Sequence, residues 1–264
     1  MRFDSNRAWQ QATVAIAANR EVLFALSGVF FLVPLLALAL LVPPPAIPAG
    51  LAEEAAMKLV LSYYADTVPY FIPVSITIWA GALALLALLT ARRPTVGEAI
   101  RTGLIALLPC IAARLVLGLA AGILGSVVVG LAGATRSAAI SGATVAAVLV
   151  ALLYLEVRTS LTPAVIAIDG VRNPIEALSR SWRLTAGSGL RLSVFYALIA
   201  VAGMIVIQIV QILVGVALAL LLPAPILKMV LAVVSATLAS SLMLIFIAVL
   251  ASVHAQLAGP DAAK

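Results

Sequence analysis

Six apolar stretches free of charge run through this chain, and the Lys and Arg between them fall almost entirely on alternate loops. No charged residue occurs between Glu21 and Glu53, Asp66 and Arg92, Arg114 and Arg136, Arg136 and Glu156, Arg191 and Lys228, or Lys228 and Asp261. Each gap holds the roughly 20 residues that cross a bilayer as a helix. Helices are required because hydrocarbon offers no partner to an open backbone amide. With 64% hydrophobic and 10% charged residues, the chain lacks the polar surface that a water-soluble domain of 264 residues needs. It therefore reads as an all-α, polytopic integral membrane protein, a single transmembrane domain over 1–264. The expected spans are 22–42, 71–91, 104–131, 138–155 with a candidate extension, 192–222 and 229–253.

Twelve basic residues fall on one side of this topology: Arg2, Arg7, Arg20, Arg92, Arg93, Arg101, Arg158, Arg172, Arg180, Arg183, Arg191 and Lys264. Three fall on the other, Lys58, Arg136 and Lys228, and Arg114 sits inside the third span. Positively charged loops stay cytoplasmic, so both termini are expected in the cytoplasm, in a bacterial inner membrane. The run from Val22 to Val42 is longer than the roughly 7–15 residues of a signal-peptide core and follows a weakly amphipathic segment, so it is expected to remain as a span. The net charge of +6 reads as topogenic charge facing anionic lipid rather than as a nucleic-acid surface, because the Arg residues flank spans and form no basic run. The single Cys110 excludes an intrachain disulfide and a multi-Cys metal site.

The basic loops also carry helix-start signals. Thr95 stands three residues before Glu98, and Asn173 three before Glu176 with Pro174 between them. In both, side chains satisfy amides that the first helical turn leaves without partners, which predicts a short helix in each loop. A third begins after Ser5 and carries Arg7, Trp9, Ala12 and Ile16. The segment 174–185 sets Ile175, Leu178 and Trp182 against Glu176, Arg180 and Arg183, and Gly187 supplies the residue for a left-handed turn into the next span. Such helices are expected to lie in the cytoplasmic interface, with Trp9 and Trp182 at headgroup depth and Arg180 and Arg183 reaching phosphates. The outer loop 51–70, with Glu53, Glu54, Tyr63, Tyr64 and Tyr70, predicts another short interfacial helix. Arg7-Ala8-Trp9 resembles Arg180-Ser181-Trp182, and Glu98-Ala99-Ile100 resembles Glu176-Ala177-Leu178, a weak internal repeat that suggests a three-fold organisation of interfacial helix plus hairpin.

Three stretches, Tyr154-Leu-Glu-Val-Arg158, Pro163-Ala-Val-Ile and Pro174-Ile-Glu-Ala-Leu-Ser-Arg-Ser-Trp182-Arg-Leu-Thr-Ala-Gly187, join Arg7-Ala-Trp9 in a pattern that resembles the bacterial glycerophosphoryl diester phosphodiesterase membrane-domain family. The resemblance covers most of the chain in layout. It implies the membrane region of that family without a catalytic domain, and the family name is not an activity of that region. Hydrolysis of a phosphodiester needs acids clustered around a divalent metal and a His acid–base. Here ten acids are scattered, and the one His, His254, is expected at the end of the last span in an interfacial or dipole-facing role. With neither a nucleophile elbow nor a phosphate-cradling loop, the expectation is no catalytic residue, no metal and no cofactor.

Polar groups within the spans are the remaining candidates. Arg114 costs on the order of 2.5–3.5 kcal/mol in hydrocarbon unless compensated. An interhelical pair with Glu156 is the expectation; a polar pathway that also takes in Arg158, Gln208 and Gln211, or simple snorkelling, are the alternatives. The two Gln residues sit one turn apart and are expected to bridge helices. Arg114, Gly118, Gly122, Ser126 and Gly130 recur every four residues, a small-residue ridge expected to pack internally, with homo-oligomer contact as the alternative. Pro34, Pro73, Pro109 and Pro163 are expected to kink or end their helices. The leading functional expectation is a non-catalytic inner-membrane protein that engages anionic lipid, or a membrane protein partner, through its cytoplasmic helices. A small-solute or lipid transporter would instead join Arg114, Glu156 and the Gln pair in one cavity, and an intramembrane enzyme would bring two acids to His254.

Overall fold

The computed structural model describes residues 3–43, 45, 48, 50–90 and 94–259, and these are mostly helical with no strand among them. Arg2, Arg92, Arg93, Asp261 and Lys264 of the charge count lie outside the described residues, as does the last residue of the second expected span. Six helical stretches are long and apolar enough to cross a membrane: Arg20–Leu41, Glu53–Leu88, Val96–Ala134, Ala138–Ala167, Gly189–Ala219 and Ala224–Ala258. The chain is an all-α, multi-pass membrane protein. Its helices are α1 (Ser5–Ala18), α2 (Arg20–Ser27), α3 (Val33–Leu41), α4 (Glu53–Leu88), α5 (Val96–Ala134), α6 (Ala138–Thr159), α7 (Thr162–Ala167), α8 (Pro174–Leu184), α9 (Gly189–Ala219) and α10 (Ala224–Ala258).

The first span is α2 and α3 joined by a π-helical turn, Gly28–Leu32. Pro34 explains the turn. Its ring has no N–H and would press on a carbonyl one turn back, and the wider π turn takes up the mismatch without breaking the helix. The same turn carries Phe30 to Gly81 of α4, where an added Cβ would stand 2.3 Å from that of Phe30.

Two expectations of separate short helices are corrected. The outer-loop helix is the first part of α4, which runs unbroken through Pro69 and Pro73. Likewise the capping box at Thr95 forms as expected, with the Thr95 Oγ1 accepting from Glu98 N and the Glu98 carboxylate accepting from Thr95 N, but the helix it starts continues into the third span. Nothing between Val96 and Leu104 stops a helix, and a membrane gives every reason to keep its amides paired. At 1.5 Å per residue α4 and α5 are about 54 and 58 Å long, nearly twice the roughly 30 Å of hydrocarbon. Short surface helices remain at α1 and α8.

The seam between α4 and α5 is built from small residues at helical spacing. Ala99, Gly103, Ala106, Cys110 and Ala113 are buried on α5, and an added Cβ at Gly103 would lie 2.7 Å from the Ala84 backbone nitrogen. This face turns the other small ridge outward. Beyond the helix's own backbone, no heavy atom among the described residues lies within 4 Å of a Cβ built at Gly118, Gly122 or Gly130, so the ridge expected to pack internally is open.

Beyond α6, Pro163 falls in the first turn of α7, and every residue of α7 is buried. Asn173 caps α8 by accepting from Ile175 N and Glu176 N, and Gly187 makes the left-handed turn into α9 at φ +76°. On α10, every residue from Ile247 to His254 is buried, with α1, α2, α4, α7 and α8 packed around the helix. The core thus sits at the end of the bundle that carries α1, α8 and the end of α10, hereafter the basic end.

Candidate functional site

At the basic end two polar knots tie α8 to the bundle. The first centres on Arg158, at the end of α6. Its guanidinium donates to the Thr185 carbonyl at 2.8 Å and lies 4.3 Å from the centre of the Trp182 ring. Its own carbonyl accepts from the Ser181 and Thr185 hydroxyls, both at 3.1 Å. Ala177 and Ser181, four residues apart, form the buried stripe of α8, and their small size lets that helix settle onto the end of α6. Arg158 therefore belongs to α8 and not to an intramembrane cluster with Arg114.

The second knot was not legible as a site. The side chain of Asp169, in the loop between α7 and α8, is 3% exposed and takes two donors on one oxygen: Arg180 of α8 at 2.8 Å and the His254 Nε2 of α10 at 3.2 Å. Its other oxygen has no protein partner among the described residues. Arg180 was expected at lipid phosphate and is instead turned to this carboxylate. His254, expected at an interface or facing a dipole, is buried and paired. In each case the buried carboxylate holds the donor, since it must find its partners within the protein. One acid, not two, meets His254. Asp169 is the only acid between Glu156 and Glu176 and precedes Gly170, which has φ +72°; a lone acid in a tight turn before a capped helix was the available signal.

The lateral pair is as expected. Arg114 of α5 and Glu156 of α6 form an ion pair on the outer flank, and the Arg114 guanidinium also lies 5.2 Å from the Trp79 ring of α4. Trp79 was missed by sequence reasoning, although it is the one Trp lying inside an expected span. Gln208 and Gln211 are on α9 and do not join this pair. A groove of about 620 Å³ runs between α9 and α10 under α1, and a shallower one of about 490 Å³ lies between α5 and α6. Neither is lined by Arg114, Glu156, Gln208 or Gln211.

Three side chains of the expected lipid surface are exposed. Trp9 and Trp182 are 40% and 41% exposed, and Arg183 is exposed beside Trp182. Helix α1, capped by Asp4, lies along α10 on Ala8 and Ala12, which leaves Trp9 partly exposed at the end of the groove between α9 and α10. Compared with protein-family models, with curated proteins and with solved structures, the chain matches none.

Proposed function

We propose that this is a non-catalytic protein of the bacterial cytoplasmic membrane, with both termini in the cytoplasm, that engages anionic lipid through α1 and α8. The orientation rests on the bias of basic residues toward one side. One observation carries the lipid reading: both helices, of 14 and 11 residues, are too short to span and rest on the bundle through small buried residues, Ala8 and Ala12 or Ala177 and Ser181. What they leave outward is Trp9, or Ile175, Trp182 and Arg183. An aromatic ring beside a guanidinium suits the headgroup layer, where one end is apolar and the other wet.

Trp182 fluorescence tests this. In a variant with Trp9 and Trp79 changed to Phe, brominated lipid should quench Trp182 and aqueous iodide should reach it poorly. Replacing Arg172 and Arg183 together by Gln should weaken association with phosphatidylglycerol by roughly fivefold per charge. Iodide quenching like that of free Trp, with no effect of brominated lipid, would overturn the proposal.

A further inference from the structure

The groove between α9 and α10 has the dimensions and chemistry of a site for one lipid chain. Its volume of about 620 Å³ lies inside the roughly 300–1,000 Å³ range of small-molecule sites. Leu198, Ala202 and Val206 of α9 and Leu238 and Leu242 of α10 form the walls, and Ser5, Asn6 and Trp9 of α1 close the basic end. From Phe195 to Ile207 the wall spans about 18 Å at 1.5 Å per residue, close to the roughly 15 Å of one leaflet. A groove that opens sideways within hydrocarbon, is apolar for one leaflet's depth and is polar only where headgroups lie matches a lipid standing upright in that leaflet. Gly203 helps to make the floor, because Leu242 occupies the space that a Cβ there would need, at 2.5 Å. The Ser241 hydroxyl adds no polar demand, since it donates to the Thr237 carbonyl of its own helix.

Charge selects the headgroup. Counting back along the lining face of α9, Val206, Ala202, Leu198 and Phe195 lead at helical spacing to Arg191, an exposed residue one turn beyond the groove. Asp4, the acid at the start of α1, has its carboxylate turned to the Arg7 amide, which it caps. We propose that the groove holds one acyl chain of an anionic phospholipid from the basic-end leaflet, with the phosphate between Arg191 and the Ser5–Asn6 start of α1. This assignment rests on the lipid-engaging reading above and gives it a particular seat.

The test uses the full chain in nanodiscs of phosphatidylcholine containing phosphatidylglycerol with a diazirine midway along one acyl chain. Photolysis should place adducts on residues 198–207 and 238–245 several-fold more often than on residues 115–124 of α5, which are largely exposed and line neither groove. Ala202→Trp, which fills the groove from a lipid-facing position, should abolish that preference; Val206→Trp serves the same purpose if the first variant does not insert. Arg191→Gln should reduce groove labelling by phosphatidylglycerol roughly fivefold and leave labelling by the phosphatidylcholine analogue unchanged. Even labelling of residues 115–124 of α5 and of the groove on α9, indifferent to Ala202→Trp, overturns the proposal, and so do crosslinks showing a second copy of the chain seated in the groove. Trp182 quenching by brominated lipid in the same nanodiscs separates the two ideas. If it persists while groove labelling is flat, only the groove assignment fails; if both are absent, the lipid-engaging function fails with it.

Discussion

From Ile247 to His254 α10 is buried on every side, yet between Ala224 and Ser235 the same helix buries no residue at all. The other long helices repeat the contrast: α9 buries nothing beyond Ile199, α6 nothing before Arg158, and α5 past Ala113 only Ala132. Sequence hydropathy does not distinguish the two halves, since apolar residues fill both. Lipid is as apolar as Leu, so burial of Leu gives no net drive for helices to associate within the bilayer. Association holds where backbones approach closely or polar groups find each other, and this chain concentrates most of both at the basic end. Gly103 on Ala84, Arg158 with Thr185, and Asp169 with Arg180 and His254 are there; the opposite half is left to solvation by lipid.

That division is exposed to experiment. Asp169→Leu should do the most harm, because it leaves the buried His254 and the half-exposed Arg180 without their shared acceptor. The expected loss is about 3–4 kcal/mol in unfolding from detergent micelles, near the lower end for a broken buried pair. Reversing Arg114 to Glu or Glu156 to Arg alone should cost about 2.5 kcal/mol and lower the amount of folded protein in membranes. The double reversal should recover part of that loss, and equal damage in all three variants would show that the pair contributes nothing. A finer probe makes the same small change in each half. Gly103→Ala drives a methyl into the α4 backbone and should destabilise by about 1–2 kcal/mol, as overpacking does. Gly122→Ala, on the open ridge, should change stability by less than about 0.5 kcal/mol, with a gain expected from better helix propensity. If Gly122→Ala proved as harmful as Gly103→Ala, the open ridge would be a contact surface for a second copy, and the opposite half would be as specifically packed as the basic end.

The transmembrane layout was legible because a bilayer reads composition over long windows, and the absence of charge is hard to mistake. Caps were legible for the opposite reason: Thr95 with Glu98, and Asn173 with the amides of Ile175 and Glu176, act over three residues. Arg114 and Glu156 could be paired because a charge in hydrocarbon demands a partner and the adjacent span offered one. The capping box showed where α5 begins but carried no information on where it ends, so its continuation into the span went unread. Two small-residue stripes compete on α5, and only the packing of α4 decides that Ala99, Gly103 and Ala106 face inward while Gly118 and Gly122 do not. Asp169 and His254 stand 85 residues apart, and no local pattern links them. Their meeting depends on how α7, α8 and α10 dock, and Arg180 was misplaced for the same reason.

The buried stretch of α10 also sets an order of events. Helix α1 is synthesised well before α10, and residues as far apart as Asp4 and Gln256, 252 positions, meet at the basic end. Neither α1 nor the Asp169 loop can reach its final seat until residues 247–254 have left the ribosome. A chain halted ahead of Ile247 would already have inserted its earlier spans, but would display an unpaired carboxylate and two loosely held amphipathic helices on the membrane surface. Emergence of residues 247–254 and closure of the core are therefore one step, and until it is taken the undocked segments stay open to proteolysis and misassembly.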